Sequence, residues 1–121
     1  MSGLLRGKRI LVVEDEPLVA MMIEDILLSA GAEIVGPAAT LANALELVDQ
    51  PIDAALLDVN LAGERVYPVA RRLLHRGIPF VFATGYGGPD EEWGTMPNIL
   101  EKPYSRDDMI AALEQALDLN G

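Results

Sequence analysis

The chain has 121 residues, half of them hydrophobic, which fits one domain with a real core and argues against disorder. Nine Lys and Arg stand against nineteen Asp and Glu, so a domain of formal net charge −10 should be repelled by nucleic acid and by anionic lipid. No apolar run is long enough to cross a bilayer, and the first residues lack a signal-peptide pattern. The absence of cysteine excludes disulfides and thiolate metal sites, and we expect a cytoplasmic location.

Short apolar strands and amphipathic helices alternate from the start of the chain. The first strand is predicted over 9–14, and Pro17 suits the first position of a helix that ends at Gly31. A second strand is predicted over 33–36, and Thr40 is the predicted N-cap of a second helix. Helical spacing predicts that the buried stripes of the two helices are Val19, Met22, Ile23, Ile26, Leu27 and Ala30, and Leu41, Ala44, Leu45 and Val48.

The third strand is predicted in the stretch 52–60, where an apolar run that is unbroken over 54–57 ends in Asp58. Because the run does not alternate with polar residues, both of its faces should be buried, as in the centre of a parallel sheet. A third helix is predicted from about Glu64 to Gly77. Its buried residues would be Val66, Val69, Ala70 and Leu73.

Two further strands and one helix complete the chain. The strands are predicted over 79–84 and 98–101, and Ser105 begins the last helix, with two acids in its first turn. The buried stripe of this helix would be Met109, Ile110, Leu113 and Leu117. Glycines and prolines punctuate 85–97, so we expect a short or missing fourth helix there.

The alternation of strand and helix, without a repeat or a linker, predicts short right-handed crossovers. We therefore predict an α/β fold over residues 1–121, a single domain with a flavodoxin-like, doubly wound parallel sheet of five strands in the order 2-1-3-4-5.

Polar side chains stand at the carboxyl ends of four predicted strands. They are Glu14 and Asp15, then Asp58, then Thr84, then Lys102. These strand ends should open on one edge of the sheet, where ligands of such folds bind. Each residue also has a structural explanation, such as a helix cap or a surface lysine, but the coincidence of all of them at one edge favours a functional site.

Three carboxylates placed close together repel one another, by roughly 1–4 kcal/mol per pair at about 4 Å. A hard divalent cation removes this repulsion, and Mg²⁺ prefers carboxylate, water and phosphate oxygens. A carboxylate nucleophile beside a metal, a lysine and a hydroxyl suits phosphoryl transfer onto Asp58, in which positioning and charge neutralisation supply most of the catalysis.

The pattern of these residues resembles the receiver domain of two-component response regulators over essentially the whole chain. The matching residues are Glu14-Asp15, Asp58, Thr84 and Lys102-Pro103. The resemblance implies that Asp58 is the phospho-acceptor and that Mg²⁺ is the cofactor. It implies that Asp15 is a direct metal ligand and that Glu14 is its partner, often through water.

The same resemblance assigns roles to the remaining site positions. The backbone carbonyl of Asn60, two residues after the acceptor, would join the metal. Thr84 would be the switch hydroxyl that moves toward the phosphoryl group, and Lys102 would pair with that group. The Lys102–Pro103 peptide bond is often cis in the family.

The run Phe80-Val81-Phe82-Ala83-Thr84-Gly85-Tyr86-Gly87 resembles a receiver subgroup with a Phe-Ala-Thr-Gly-Tyr signature. This subgroup is found in alphaproteobacterial signalling, often as single-domain proteins with a reduced fourth helix. The chain departs from common receivers at Ala62, where proline is usual, and at Ile99, where many carry a mobile aromatic residue. Tyr86 is therefore a candidate gating residue. The alternative, given equal weight, is that Tyr86 is an ordinary half-exposed aromatic residue of a loop.

Two other aromatic residues have open assignments. Trp93 is either an exposed anchor for a partner or a cover for the sheet edge, with the second favoured. Tyr104 follows Pro103 and would border either the site or a docking face.

The leading hypothesis is a stand-alone phospho-acceptor receiver. A histidine kinase or a histidine phosphotransfer protein would deliver the phosphoryl group to Asp58 with Mg²⁺. The domain would then signal to a protein partner by conformational change, or act as a phosphate sink. We expect no enzymatic activity beyond self-phosphorylation and autodephosphorylation, no nucleic-acid partner, no membrane insertion, and a monomer or weak dimer.

Two alternative functions stay open. One is a receiver-like protein-binding module that works without phosphorylation, which would be favoured if Asp58→Asn left signalling intact. The other is a Mg²⁺-dependent aspartyl phosphohydrolase, which usually needs a second acid two residues after the nucleophile, where this chain has Asn60. Turnover of external phosphate esters would favour this enzyme.

Overall fold

The structure, a computed structural model, describes residues 3–85, 89, 93 and 99–120, the last two without their side chains. The strands are β1 (Arg9–Val13), β2 (Glu33–Ala38), β3 (Ala54–Asp58), β4 (Asn60–Leu61), β5 (Glu64–Arg65), β6 (Phe80–Thr84) and β7 (Ile99–Glu101). The helices in the described ranges are α1 (Pro17–Ser29), α2 (Leu41–Leu47), α3 (Tyr67–His75) and α4 (Arg106–Asn120).

Five of the strands form one parallel sheet in the order β2-β1-β3-β6-β7, which confirms the predicted topology. Successive side chains of a strand point to opposite faces of the sheet, so the buried strands contribute to two core layers, one on each face. Leu57 and Phe82 pack with α2 and α3 on one side, and Leu56 and Val81 pack with α1 and α4 on the other. Each such side chain contributes about 1.5–3 kcal/mol of hydrophobic stabilisation when it is fully buried.

Helix termini follow the local signals of the sequence. Pro17 is the first residue of α1, and the Thr40 hydroxyl caps α2 by accepting from the Asn43 N–H at 3.1 Å. Before α4, the Ser105 hydroxyl accepts from the Asp108 N–H at 3.0 Å, and the Asp108 carboxylate accepts from the Ser105 N–H at 3.2 Å. This reciprocal cap fixes where the chain turns into α4 beside Lys102.

The predicted start of the third helix at Glu64 is wrong. Glu64 and Arg65 form β5, which pairs antiparallel with β4 across a two-residue turn, and α3 begins only at Tyr67. Pro68 explains the late start, because proline fits the first turn of a helix but removes a hydrogen bond from its interior. A helix that began at Glu64 would have placed this proline in its second turn.

Three smaller expectations also differ from the structure. β1 ends at Val13 rather than at residue 14, and β2 continues to Ala38 through a cis Gly36–Pro37 peptide bond. Met22 is exposed rather than part of the buried stripe of α1, because α1 contacts the sheet through the narrower face that carries Ala20, Ile23 and Leu27.

Replacement of Gly36, which lies in β2, is expected to destabilise the fold. Its φ is 99°, and a Cβ there would lie 2.8 Å from the Ala38 nitrogen and 3.0 Å from the Val12 oxygen. Gly36→Ala should therefore lower the free energy of unfolding in urea by roughly 2–4 kcal/mol, through backbone strain plus overpacking. Gly77→Ala is the control, because Gly77 also has a positive φ, 69°, but its Cβ would meet open space. Equal losses at the two positions would contradict the clash.

No helix in the described ranges is long and apolar enough to cross a membrane. The interval between β6 and β7 lies outside the described residues except for Gly85, Pro89 and Trp93. The predicted reduction of a fourth helix, the gating role of Tyr86 and the start of the last strand at residue 98 therefore concern residues that the structure does not describe.

Candidate functional site

The predicted polar cluster lies at the carboxyl edge of the central strands. β3 pairs with β1 and β6 in parallel, and the register places Asp58 opposite Ala83 and Thr84 opposite Glu101. Asp58 and Thr84 are 6% and 4% exposed, and Glu14, which follows β1, is 2% exposed. Sheet geometry thus buries three polar side chains at one edge.

Three carboxylates meet at this edge. One oxygen from each of Glu14, Asp15 and Asp58 lies within 4.8 Å of the other two. The three residues come from the ends of neighbouring strands, 43 and 44 positions apart in sequence (58 − 15 and 58 − 14). Their approach therefore depends on the parallel pairing of β1 with β3.

Lys102 is the cation of the site. Its Nζ lies 3.2 Å from Asp58 Oδ1 and 3.5 Å from Glu14 Oε1. Burial by itself lowers the pKa of Lys102, but the charges of Asp58 and Glu14 outweigh burial, and the pKa is raised above its ordinary value. Lys102 is therefore charged at neutral pH and contacts two of the three acids.

The ionised form of Asp58 is disfavoured in the folded protein in spite of its contact with Lys102. Burial, followed by repulsion from Glu14, raises the pKa of Asp58 from 3.8 to about 7. The Lys102 ammonium opposes the rise, and a side-chain contact with Asp15 adds to it. One lysine does not balance three acids, so the site has an excess of negative charge.

Backbone N–H groups hold the two acids that follow β1. The Glu16 N–H donates to Glu14 Oε2 at 3.1 Å, and the Ala62 N–H donates to Asp15 Oδ2 at 3.1 Å. The second bond joins the end of β1 to the turn after β3. The only sign of this bond in the sequence is that position 62 holds alanine, which has a backbone N–H, where common receivers have proline, which has none.

A divalent cation fits the donor set. Glu14, Asp15 and Asp58 supply the carboxylate oxygens that Mg²⁺ prefers, and a cation would relieve the repulsion that raises the pKa of Asp58. The Asn60 side chain is engaged elsewhere, because its Oδ1 accepts from the Gly63 N–H at 2.9 Å. The role of the Asn60 backbone carbonyl as a metal ligand stays a prediction.

Thr84 and Lys102 are joined through their backbones. The Lys102 N–H donates to the Thr84 carbonyl at 2.8 Å, and the Lys102–Pro103 peptide bond is cis. A movement of the backbone at Thr84 would therefore displace the backbone at Lys102, and the reverse also holds.

A groove runs from Lys102 toward α1. It has a volume of about 330 Å³ and is lined by Glu16, Val19, Met22, Lys102, Pro103 and Tyr104. The Tyr104 hydroxyl is buried and has no hydrogen-bond partner within the described part of the chain. Burial, together with the charges of Glu14 and Asp58, raises the pKa of Tyr104 to about 12, so the phenol is neutral at physiological pH and borders the site.

Trp93 is buried against the sheet rather than exposed. It is 6% exposed, stacks on Tyr67 with ring centroids 5.6 Å apart, and meets Phe82 edge to face at 5.5 Å. Ile99 is half-buried and packs against the same core layer. The aromatic cluster therefore belongs to the core on the α3 side of β6.

The comparisons with known proteins agree with this geometry. The family model for the response regulator receiver domain matches residues 10–114. The transcriptional regulatory protein PdtaR of Mycobacterium tuberculosis is 31% identical over 117 residues, covering 91% of this chain and 57% of PdtaR. This chain spans about half the length of the curated relatives it matches.

Two solved structures match this chain over more than nine-tenths of both lengths. SdrG from Sphingomonas melonis Fr1 is 46% identical, with a TM-score of 0.79 over 97% of this chain and 98% of SdrG. The receiver domain of PhyR from Erythrobacter litoralis is 30% identical, with a TM-score of 0.80 over 93% of this chain and 92% of that domain. The fold, the acidic edge and these matches together show that the chain belongs to the response regulator receiver domain family.

Proposed function

We propose that the domain accepts a phosphoryl group on Asp58 from a histidine kinase or a histidine phosphotransfer protein. The observation that carries the proposal is the placement of Asp58 at the end of β3, 3.2 Å from the Lys102 Nζ and within 4.8 Å of oxygens of Glu14 and Asp15. A nucleophile, a fixed cation and two further acids thus share one small site.

The chemistry follows from what each side chain offers. An Asp58 oxygen attacks the phosphorus of the donor phosphohistidine, a P–O bond forms, and the P–N bond breaks with its electron pair going to the imidazole. The Lys102 ammonium contacts an Asp58 oxygen and would pair with the oxygens of the incoming group. Thr84 supplies a buried hydroxyl at the neighbouring strand end.

Glu14, Asp15 and Asp58 would hold Mg²⁺, with the Asn60 carbonyl as a further ligand by resemblance. When bound, Mg²⁺ supplies positive charge that offsets the acids and the phosphoryl oxygens. Burial and then repulsion from Glu14 raise the pKa of Asp58, and a bound cation would offset both effects.

The face next to Lys102 supports a protein as the phosphodonor. Leu18, Met21 and Met22 of α1 are 80%, 58% and 45% exposed, and Met22 also lines the groove that reaches Lys102. Apolar side chains exposed beside a reactive site are typical of a surface that a partner covers. A donor that presented its histidine to Asp58 would contact this face of α1.

The output would be carried by β6 and β7. Thr84 and Lys102 are joined by a 2.8 Å backbone hydrogen bond, so a shift of both residues toward a phosphoryl group would displace these strand ends together. The domain would then act on a protein partner or draw phosphate from a competing regulator. No catalytic turnover beyond self-phosphorylation and autodephosphorylation is proposed.

Incubation with acetyl phosphate tests the proposal. We expect a single phosphoryl adduct by intact mass that requires Mg²⁺ and is absent in Asp58→Ala. Asp25→Asn is the charge-matched control, because Asp25 is an exposed acid of α1, and it should be phosphorylated like the wild type.

If acetyl phosphate yields no adduct, a phosphorylated histidine kinase domain and a short time course provide the second donor. No adduct from either donor would reject the phospho-acceptor function in favour of a binding module that works unphosphorylated. Sustained release of phosphate from an added phosphate ester would instead support a phosphohydrolase.

A further inference from the structure

The turn that follows the acceptor strand has an uncommon backbone. Ala62 and Gly63 link β4 to β5, and both have positive φ, 51° and 97°. Two-residue hairpin turns with positive φ at both positions favour Asn or Gly at the first of them. Ala62 is the one residue other than glycine with a positive φ in the described ranges.

The surrounding contacts keep this strained turn in place. The Val66 N–H donates to the Val59 carbonyl at 3.0 Å and closes the base of the hairpin. Leu61 is buried in the core, and the Asn60 side chain accepts from the Gly63 N–H. Backbone strain that is held by its surroundings beside a reactive site points to a role for the strained residue.

The strained conformation directs one group at the acidic edge. The Ala62 N–H donates to Asp15 Oδ2 at 3.1 Å, across 47 positions of sequence. A carboxylate has about four acceptor positions, so this bond and the side-chain contact with Asp58 leave other positions of the Asp15 carboxylate for a metal ion. Proline at position 62 could neither adopt a φ of 51° nor donate this bond.

We propose that the backbone N–H of Ala62 is a positioning group that orients the Asp15 carboxylate for Mg²⁺. Ligating carboxylates are commonly fixed by outer hydrogen bonds, and hydrogen bonds to charged groups are the stronger class. The hairpin thus supplies part of the metal site through its backbone rather than through a side chain. The proposal rests on the proposed Mg²⁺ site, and its test separates the two.

Replacing alanine 62 by lactic acid, which turns its amide into an ester, removes the N–H and keeps the side chain. Mg²⁺ affinity is measured by chemical-shift titration, together with the melting temperature without metal. We expect roughly tenfold or greater weakening of Mg²⁺ binding in the ester at position 62. The control is the corresponding ester at Val66, which removes a hairpin hydrogen bond without touching Asp15 and should bind Mg²⁺ like the wild type.

The outcomes are distinct. Absence of Mg²⁺ binding in the wild type would overturn the metal site itself and the proposed function with it. Wild-type binding that the ester at position 62 matches or exceeds would overturn the positioning role alone. Equal weakening in both esters would also overturn it, because the loss would then come from a loosened hairpin.

A measurement on the wild type keeps the proposal testable if the ester does not fold. Hydrogen exchange of the Ala62 amide is compared with and without saturating Mg²⁺. The positioning role predicts at least equal protection in the metal-bound state, because the bond persists there. Faster exchange on Mg²⁺ binding would mean that the metal displaces the bond, and would overturn the proposal.

Discussion

Asp58→Asn is expected to stabilise the metal-free domain, and to do so more at pH 8 than at pH 5. The pKa of Asp58 is about 7 in the folded state against 3.8 ordinarily, because the residue is buried beside Glu14. Well below pH 3.8 the carboxyl is protonated in both the folded and the unfolded state and does not affect stability through its charge. As the pH rises through 4 to 7 the unfolded state loses the proton first, so the charge increasingly destabilises the fold, with the full cost above pH 7.

This pKa difference corresponds to roughly 4 kcal/mol at high pH and to less than half of that at pH 5, as an order of magnitude. Asparagine keeps the shape of the side chain and removes the charge. Urea unfolding in EDTA at the two pH values measures the difference. Asp25→Asn, an exposed acid of α1, makes the same change in net charge and should show little pH dependence. If Asp58→Asn behaved like this control, the inferred cost of burying the Asp58 charge beside Glu14 would be wrong.

The sheet and the meeting of its polar ends could be predicted because both depend on local patterns. The apolar run before Asp58 and the polar residues after the other strands are visible in sequence, and a parallel sheet necessarily brings such ends to one edge. The N-cap at Thr40 was similarly accessible, since it rests on residues three positions apart.

The features that could not be predicted depend on long-range contacts or on conformations that the residue type disfavours. Ala62 adopts a positive φ although alanine disfavours it, so the sequence lacked the Asn-Gly or Gly-Gly pair that predicts such a hairpin turn. The bond from Ala62 to Asp15 joins residues 47 positions apart, and the exposure of Met22 depends on how α1 is rotated against the sheet. The burial of the Tyr104 hydroxyl, which has no hydrogen-bond partner among the described residues, likewise follows from packing.

Lys102→Met is expected to change stability in the opposite direction from Asp58→Asn. The Lys102 Nζ lies 3.2 Å from Asp58 and 3.5 Å from Glu14, and both acids are buried. Methionine keeps the apolar stem of lysine but leaves two acids without a counter-charge. Breaking a buried ion pair costs about 3–5 kcal/mol, and because the Lys102 side chain is 29% exposed we expect the lower end, about 3 kcal/mol at pH 8.

The pH dependence of this loss is the stronger test. At pH 5 Asp58 is largely protonated, so Lys102 has one charged partner fewer and the loss should shrink. The pKa of Asp58, followed by carboxyl NMR, should also rise above its wild-type value of about 7. Arg72→Met is the control, because the ion pair of Arg72 with Asp49 is half-exposed and should contribute less than about 1 kcal/mol.

Combining the two changes tests whether Lys102 stabilises the fold through its contact with Asp58. In the Lys102→Met background, Asp58 has lost its main favourable contact, so Asp58→Asn should recover more stability than it adds to the wild type. The excess is the coupling energy between the two side chains. Simple additivity of the two changes would mean that Lys102 stabilises the fold through Glu14 or through packing. The 3.2 Å contact with Asp58 would then matter only once a phosphoryl group is present.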